Sequence, residues 1–363
     1  MKIANQPIDA SLPPSRPSDI LTTPGPAQRS SAPRVFWSVV RLTVGLGLIA
    51  YLVHSRVIDL LALSKLLTAW PISLAALALM FLDIALMAMR LSWLFRPPGL
   101  RLSLPNSLEL VLVSSFFATF LPGAAGGDLA KLYYAAAENK GRRTEIVTVV
   151  IFDRAIGLFS ILLLPLFFAP FFLPLIHAVP VLQALLIAAL AFAMGMLLAF
   201  LLCLFYPDVA TRAARSLSWF PSLAKFVERI AGTIATYRRS AGTLLAALAL
   251  SLAANLCLIA ITALAILVLH PISLSMKMCL VIPLGDLANN LPFTPGGLGI
   301  GESAYDALFH AVGLEGGAEA LLAWRIWRAT VGLIGLVLYL RGPGRAVYEG
   351  NSSAGSNVKN VLP

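Results

Sequence analysis

The fold is decided by one stretch of sequence, Asn289-Asn290-Leu291-Pro292-Phe293-Thr294-Pro295-Gly296-Gly297-Leu298-Gly299-Ile300-Gly301-Glu302. Proline removes a backbone donor and glycine is a poor helix former, so a helix cannot continue through these residues. The sequence on both sides is strongly apolar. In hydrocarbon such a break is tolerated only where protein or a polar cavity covers the freed backbone groups. The stretch therefore predicts a broken helix beside a polar cavity inside a membrane.

An earlier stretch has the same skeleton, Leu121-Pro122-Gly123-Ala124-Ala125-Gly126-Gly127-Asp128. The pattern Leu-Pro-x-x-x-Gly-Gly thus occurs twice, 170 residues apart. Two broken segments in corresponding positions of two halves are typical of the transport site in a repeat-built membrane protein.

Composition indicates a polytopic membrane protein rather than a soluble one. Hydrophobic residues make up 59% of the chain and charged residues only 12%, which is outside the range of soluble domains. The 27 Lys and Arg outnumber the 17 Asp and Glu, but the positive residues lie mainly in loops between apolar runs. This distribution argues against nucleic acid as a partner.

The apolar runs predict an all-α integral membrane protein with six full spans, at about 35–53, 71–95, 145–171, 181–206, 242–269 and 318–340. Two further runs are divided by the breaks into arms shorter than the ~20 residues needed to cross. They predict re-entrant hairpins at about 105–138 and 277–312.

Outside these segments the chain is polar. Residues 1–34 and 341–363 contain few large apolar side chains and are predicted to be disordered tails. The basic, aromatic-containing stretch 207–240 is predicted to be a cytoplasmic loop, either a helix on the anionic lipid surface or a solvated connector.

Orientation follows from the basic residues. With the N-terminus in the cytoplasm, the cytoplasmic segments hold 18 Lys and Arg and the external segments hold three. This asymmetry predicts that both termini are cytoplasmic. Because three spans separate the two breaks, the first half (35–171) and the second half (172–340) have opposite orientations. The sequence therefore predicts an inverted repeat about an axis in the membrane plane.

The glycine pairs suggest an anion site. A half-helix begins after Gly126-Gly127 and another after Gly296-Gly297, and the free amides and positive dipole of a helix N-terminus suit a phosphate. The alternative is that Asp128 and Glu302 simply cap the two helix ends.

Arg154, Arg325 and Arg328 lie deep in the predicted spans. Each must face a partner or a cavity, since a central arginine costs about 2.5–3.5 kcal/mol on insertion scales. Arg325 and Arg328 share a helix face, whereas Arg154 does not face its neighbour Asp153. The partner of Arg154 is then Asp83, Glu302 or a ligand phosphate. The arginines form either an anion site or a static buried ion network.

Catalytic, metal and cofactor patterns are not found in the sequence. The four histidines fall at the ends of predicted spans and the three cysteines fall within apolar runs, neither with metal-ligand spacing. No catalytic residue, metal or cofactor is therefore predicted.

Several motifs together carry a family resemblance: Phe120 to Asp128, Asp153-Arg154 with Gly157-Leu158, Asn290 to Glu302, and Arg325. In these the chain resembles the transmembrane region of the lysylphosphatidylglycerol synthases, a flippase-like family of bacterial and archaeal membrane proteins. One departure is Lys131, where the family often has arginine. The change keeps the charge but loses a bidentate fork.

The resemblance implies an inner-membrane protein that moves a lipid, with lipid-biosynthesis enzymes as possible partners. About twenty residues follow Leu340, so translocation without headgroup synthesis is expected. The lipid and the oligomeric state stay open. The candidate binding residues are Gly126, Gly127, Asp128, Lys131, Asp153, Arg154, Asn290, Pro295, Gly296, Gly297, Glu302, Arg325 and Arg328.

Two other classes of function fit the same sequence. One is a membrane glycosyltransferase, or its accessory subunit, acting on a lipid-linked sugar. The predicted external loops offer such an enzyme few acidic residues, namely Asp59, Glu315 and Glu319. The other is an ion-coupled transporter of a small solute, which also uses broken helices.

Overall fold

The computed structural model describes residues 60–120, 125–139, 141–206, 232–270, 274–290 and 299–341. These residues form helices and connecting turns, with no strand among them. The helices are α1 (Leu60–Thr68), α2 (Trp70–Leu94), α3 (Leu104–Phe120), α4 (Ala125–Glu138), α5 (Arg143–Phe168), α6 (Leu173–Ala178), α7 (Pro180–Phe205), α8 (Ala241–Leu269), α9 (Met278–Asn289), α10 (Ile300–Ala311) and α11 (Gly317–Arg341).

Five helical segments among the described residues are long and apolar enough to cross a membrane: Trp70–Leu94, Arg143–Ala178, Pro180–Phe205, Ala241–Leu269 and Gly317–Arg341. The shortest has 25 residues, which at ~1.5 Å per residue exceeds the ~30 Å hydrocarbon thickness. They correspond to five of the six predicted spans. The predicted span at 35–53 lies outside the described residues. The predicted tails, apart from Arg341 at the end of α11, and most of the 207–240 loop lie outside them as well.

Four shorter helices occupy the predicted hairpin arms. Helices α3 and α4 have 17 and 14 residues, and α9 and α10 have 12 each. Within each pair the two helices pack against one another. None reaches the ~20 residues of a full span.

The first helix break differs in detail from the expectation. Helix α4 begins at Ala125, so Gly126 and Gly127 lie in its first turn rather than before it. A Cβ atom on Gly127 would lie 2.6 Å from the Ser114 hydroxyl oxygen and 2.8 Å from its carbonyl oxygen. The glycine therefore permits close approach of α4 to α3.

Packing between the long helices brings distant parts of the chain together. Helix α2 makes its most extensive contact with α8, α11 packs on α3, and α5 packs on α9. A Cβ on Gly335 of α11 would overlap the Leu112 carbonyl oxygen of α3. These contacts surround the centre of the bundle with α2, α3, α5, α8, α9 and α11.

Helix α7 exposes an apolar surface. Its large side chains are exposed, including Val181, Ile187, Leu190, Phe192 and Leu198. Exposed aliphatic and aromatic side chains on a 26-residue helix are suited to contact with lipid.

Candidate functional site

A cavity of about 390 Å³ lies at the centre of the helices. Its described lining comes from α2, α3, α4, α5, α8, α9 and α11, and therefore from both halves of the chain. The polar lining residues are Asp83, Arg90, Ser114, Ser115, Thr119, Asp128, Lys131, Asp153, Arg154, Ser251, Asn255, Asp286, Asn289, Asn290, Trp324, Arg325 and Arg328. A polar cavity of this kind can accommodate the free backbone N–H and C=O groups of interrupted helices within the membrane.

The first half contributes a buried ion network centred on Asp153, which is 1% exposed. Its carboxylate accepts hydrogen bonds from Arg90 Nε at 2.7 Å and from Lys131 Nζ at 3.1 Å. Arg90 also donates to the Ser251 hydroxyl of α8 at 2.8 Å. A Cβ on Gly157 would lie 3.3 Å from Arg90 Nη1, so the glycine leaves room for the guanidinium. We call Arg90, Lys131, Asp153 and Ser251 the Asp153 network.

Arg154 points away from this network. Its side chain is 43% exposed, and its Nε lies 3.8 Å from Asp128 Oδ2. Asp128 is also 3.6 Å from Lys131 Nζ. The expected partners Asp83 and Glu302 were therefore wrong as ion pairs, because α4 packs beside α5 and brings Asp128 nearest. The long distance and the exposure leave the guanidinium of Arg154 able to bind a ligand.

The second half holds a different ion pair, between Arg325 Nε and Glu302 Oε1 at 3.0 Å. Arg325 Nη2 also donates to Asn289 Oδ1 at 2.9 Å. The second oxygen of Glu302 accepts the backbone amide of Gly299 at 2.7 Å. Glu302 thus caps α10, as the alternative interpretation of this residue expected, and at the same time holds Arg325.

The two ion pairs have opposite polarity along the chain. Lys131 on α4 pairs with Asp153 on the next helix, α5. Glu302 on α10 pairs with Arg325 on the next helix, α11. The cation therefore lies on the short helix in the first pair and on the long helix in the second.

Between these pairs lies a central cluster formed by Asp83, Asp286 and Arg328. Asp83 is 7% exposed and makes no hydrogen bond or ion pair with another described residue. Both carboxylate oxygens of Asp286 accept side-chain amides, from Asn289 at 3.1 Å and from Asn290 at 2.8 Å.

Arg328 is the cation of the central cluster. Its guanidinium lies over the Trp324 ring, 5.0 Å from the centroid. Asp83, Asp286 and Arg154 are its charged neighbours, and none of them forms an ion pair with it within the described part of the chain. Arg328 therefore faces the cavity with its hydrogen-bond donors uncommitted to a carboxylate.

Eight of the predicted binding residues line the cavity: Gly127, Asp128, Lys131, Asp153, Arg154, Asn290, Arg325 and Arg328. Glu302 adjoins it through its contact with Arg325. Gly126 lies in the first turn of α4. Pro295, Gly296 and Gly297 lie outside the described residues.

Several lining residues were missed, among them Arg90, Ser251, Asn255, Asp286 and Asn289. Arg90 and Asp286 are isolated charges within apolar runs, and a charge inside a membrane helix is itself a signal of function. Ser251 and Asn255 are single polar residues of α8 that match no sequence motif.

A comparison with protein families finds a match over most of the chain. The model of the lysylphosphatidylglycerol synthase transmembrane region matches residues 38–338. The chain belongs to this family. No curated protein and no solved structure matches the chain significantly. As a member of the lysylphosphatidylglycerol synthase transmembrane-region family with several apolar spans, it is a multi-pass membrane protein.

Proposed function

We propose that the protein binds the phosphate-bearing headgroup of a lipid in the central cavity and moves that lipid across the bacterial inner membrane. The observation that carries the proposal is the pair Arg154 and Arg328. Both line a cavity inside the membrane bundle, and neither is held by a close carboxylate. Guanidinium groups suit phosphate because they offer several donors in one plane.

The wider architecture that we propose is an inverted repeat with two re-entrant hairpins and cytoplasmic termini. Support comes from reciprocal packing. Helix α11, which follows the second hairpin, packs on α3 of the first, and α5, which follows the first hairpin, packs on α9 of the second. In the proposed repeat, α2, α3 and α5 correspond to α8, α9 and α11. Exchanging the two halves therefore turns the α11–α3 contact into the α5–α9 contact and leaves the α2–α8 contact unchanged. Such a repeat suits alternating access to a site near mid-membrane.

Cysteine labelling tests the topology. With Cys203, Cys257 and Cys279 replaced by alanine, Glu315→Cys should react with an impermeant maleimide in spheroplasts, because the α10–α11 turn is external. Arg143→Cys, at the start of α5, should react only after lysis. The side chains of Glu315 and Arg143 are both exposed, so a difference in labelling would reflect the side of the membrane rather than burial. Labelling of both positions from the same side would contradict the inverted repeat.

Transport itself is tested with the purified protein in sealed vesicles. It should accelerate transbilayer movement of a fluorescent phosphatidylglycerol, without changing that lipid chemically. A fluorescent glycosyl-diacylglycerol, which carries no phosphate, is the matched lipid and should move at the rate of protein-free vesicles. Equal phosphatidylglycerol rates with and without protein would contradict the proposal. A covalently altered lipid would instead support the transferase alternative.

A further inference from the structure

Asp83 is a buried carboxylate that takes part in none of the ion pairs described above. It is 7% exposed, lines the cavity, and makes no hydrogen bond or ion pair with another described residue. An uncompensated charge in a membrane interior is costly and is usually neutralised or functional. The headgroup site proposed above gives Asp83 no role.

The charges of the groups in and beside the cavity balance only when Asp83 is counted. Counting Glu302 behind Arg325, the cavity groups comprise five cations and five carboxylates. Around the Asp153 network, Arg90, Lys131 and Arg154 exceed Asp153 and Asp128 by one positive charge. The Arg325–Glu302 pair is neutral. The central cluster, with two carboxylates and one arginine, therefore carries the matching negative charge.

An anionic headgroup disturbs this balance. Once Arg328 binds a phosphate, it compensates Asp83 and Asp286 less, and the two carboxylates and the anion then share a region of low dielectric. Charges of the same sign repel strongly in such a region. A single proton taken up by the carboxylates removes the excess and restores neutrality.

We propose that Asp83 and Asp286 form a proton-binding site that takes up about one proton with each bound headgroup, so that the cavity stays neutral and proton and headgroup binding are linked. The inference rests on the proposed function and adds to it an energy source. A carboxylate accepts the proton from water on the side where the headgroup enters. The proton returns to water on the other side when the headgroup leaves and Arg328 again compensates the carboxylates. Lipid therefore moves from the acidic side toward the alkaline side.

A proton fits this site better than a metal cation. Both oxygens of Asp286 already accept side-chain amides from Asn289 and Asn290. Hard cations need about six oxygen ligands, and the described residues contain no group of three or more His, Cys, Asp or Glu suited to a metal.

The groups around the two carboxylates include few that could titrate in their place. Those facing Asp83 are Arg90 on its own helix, Asp286 from α9, Arg328 from α11 and the Cys257 thiol from α8. Those facing Asp286 are Arg154 from α5, Tyr305 from α10, and Arg325 and Arg328 from α11. Helix α8 contains no charged residue. The arginines keep their protons, so we assign the proton to the pair Asp83 and Asp286.

Calorimetry measures the proton directly. Binding of a soluble short-chain phosphatidylglycerol to the detergent-solubilised protein is titrated in two sodium-free buffers of different ionisation enthalpy, which gives the protons taken up per bound lipid. We expect about one for the wild type, by linkage. Asp83→Asn and Asp286→Asn should each reduce it toward zero, because one carboxylate fewer already balances the bound anion. Glu319→Gln, an exposed change in the first turn of α11, is the matched control and should keep the wild-type value.

The same protein in vesicles, under a pH gradient with the membrane potential clamped, should concentrate the lipid in the leaflet on the alkaline side. Lipid binding and movement without proton uptake and without response to the gradient would overturn the inference and leave the proposed function standing. Binding that requires sodium and ignores pH would replace the proton by a cation. Failure of the wild type to bind the probe and to move lipid would overturn both proposals. The wild-type measurements decide the matter even where a variant does not fold.

Discussion

Replacing Asp153 with alanine is expected to prevent the folded protein from accumulating, or to lower its melting midpoint sharply. The change leaves Arg90 and Lys131, whose side chains are 8% and 14% exposed, without their shared counter-charge. Removing one partner of a buried ion pair costs about 3–5 kcal/mol, a large part of the about 5–15 kcal/mol that stabilises a typical domain. Thermal unfolding in detergent, with the yield of monodisperse protein, measures the effect.

Two comparisons make this expectation specific. Glu145→Ala breaks the Arg142–Glu145 pair, whose side chains are 38% and 36% exposed, and should change the free energy of unfolding by less than about 1 kcal/mol. Arg90→Met combined with Asp153→Leu should recover part of the loss, because Lys131 keeps Asp128 at 3.6 Å. If Asp153→Ala proved as stable as Glu145→Ala, the Asp153 network would not be structural.

Arg328→Ala and Arg154→Ala are expected to show the opposite signature, a stable protein that no longer moves lipid. Truncating Arg328 breaks no ion pair among the described residues, and the proposed protonation of Asp83 and Asp286 would replace the compensation that Arg328 gives them. Truncating Arg154 leaves Asp128 beside Lys131. Hydrogen bonds to a charged group contribute about 1.5–3 kcal/mol, so each variant should lose about tenfold or more in lipid affinity. Vesicle transport and the melting midpoint are measured on the same preparation.

Arg96→Ala is the matched control for these variants. Arg96 lies over the Trp93 ring at 5.9 Å, a contact like that of Arg328 with Trp324, but it does not line the cavity. It should retain transport. Arg328→Lys keeps the charge without the fork and should fall between alanine and the wild type. Unstable Arg154→Ala and Arg328→Ala proteins, rescued by neutralising Asp83, would instead indicate a static network.

The long helices could be predicted from sequence because their length and composition are local properties. The structure begins α2 and α7 at Trp70 and Pro180, one residue from the predicted starts. The short arms were recognisable for the same reason, since a dense cluster of Pro and Gly disfavours a continuous helix. The exact start of α4 could not be predicted, because Gly127 permits the close contact with α3 rather than marking the end of a helix.

The partners within the site depend on how helices rotate and pack, which a single sequence does not encode in any local pattern. Arg90 and Asp153 are 63 residues apart, and Arg90 and Ser251 are 161 residues apart. The sequence left open an anion site and a static ion network. The Asp153 network and the Arg325–Glu302 pair are bonded ion pairs, whereas Arg154 lies 3.8 Å from Asp128 and Arg328 lies over the Trp324 ring. An anion site at Arg154 and Arg328 stays a prediction.

The reversed signs of the Lys131–Asp153 and Arg325–Glu302 pairs bear on the conformational equilibrium. Two identical inverted halves would give inward-open and outward-open states of equal energy, because a half turn about the repeat axis interchanges them. Under the proposed inverted repeat, that half turn would bring α11, which carries Arg325, to the place of α5, which carries Asp153, so the two states are expected to differ in energy. The unloaded protein is then expected to rest open to one leaflet, with a population that responds to the membrane potential through the unequal charges.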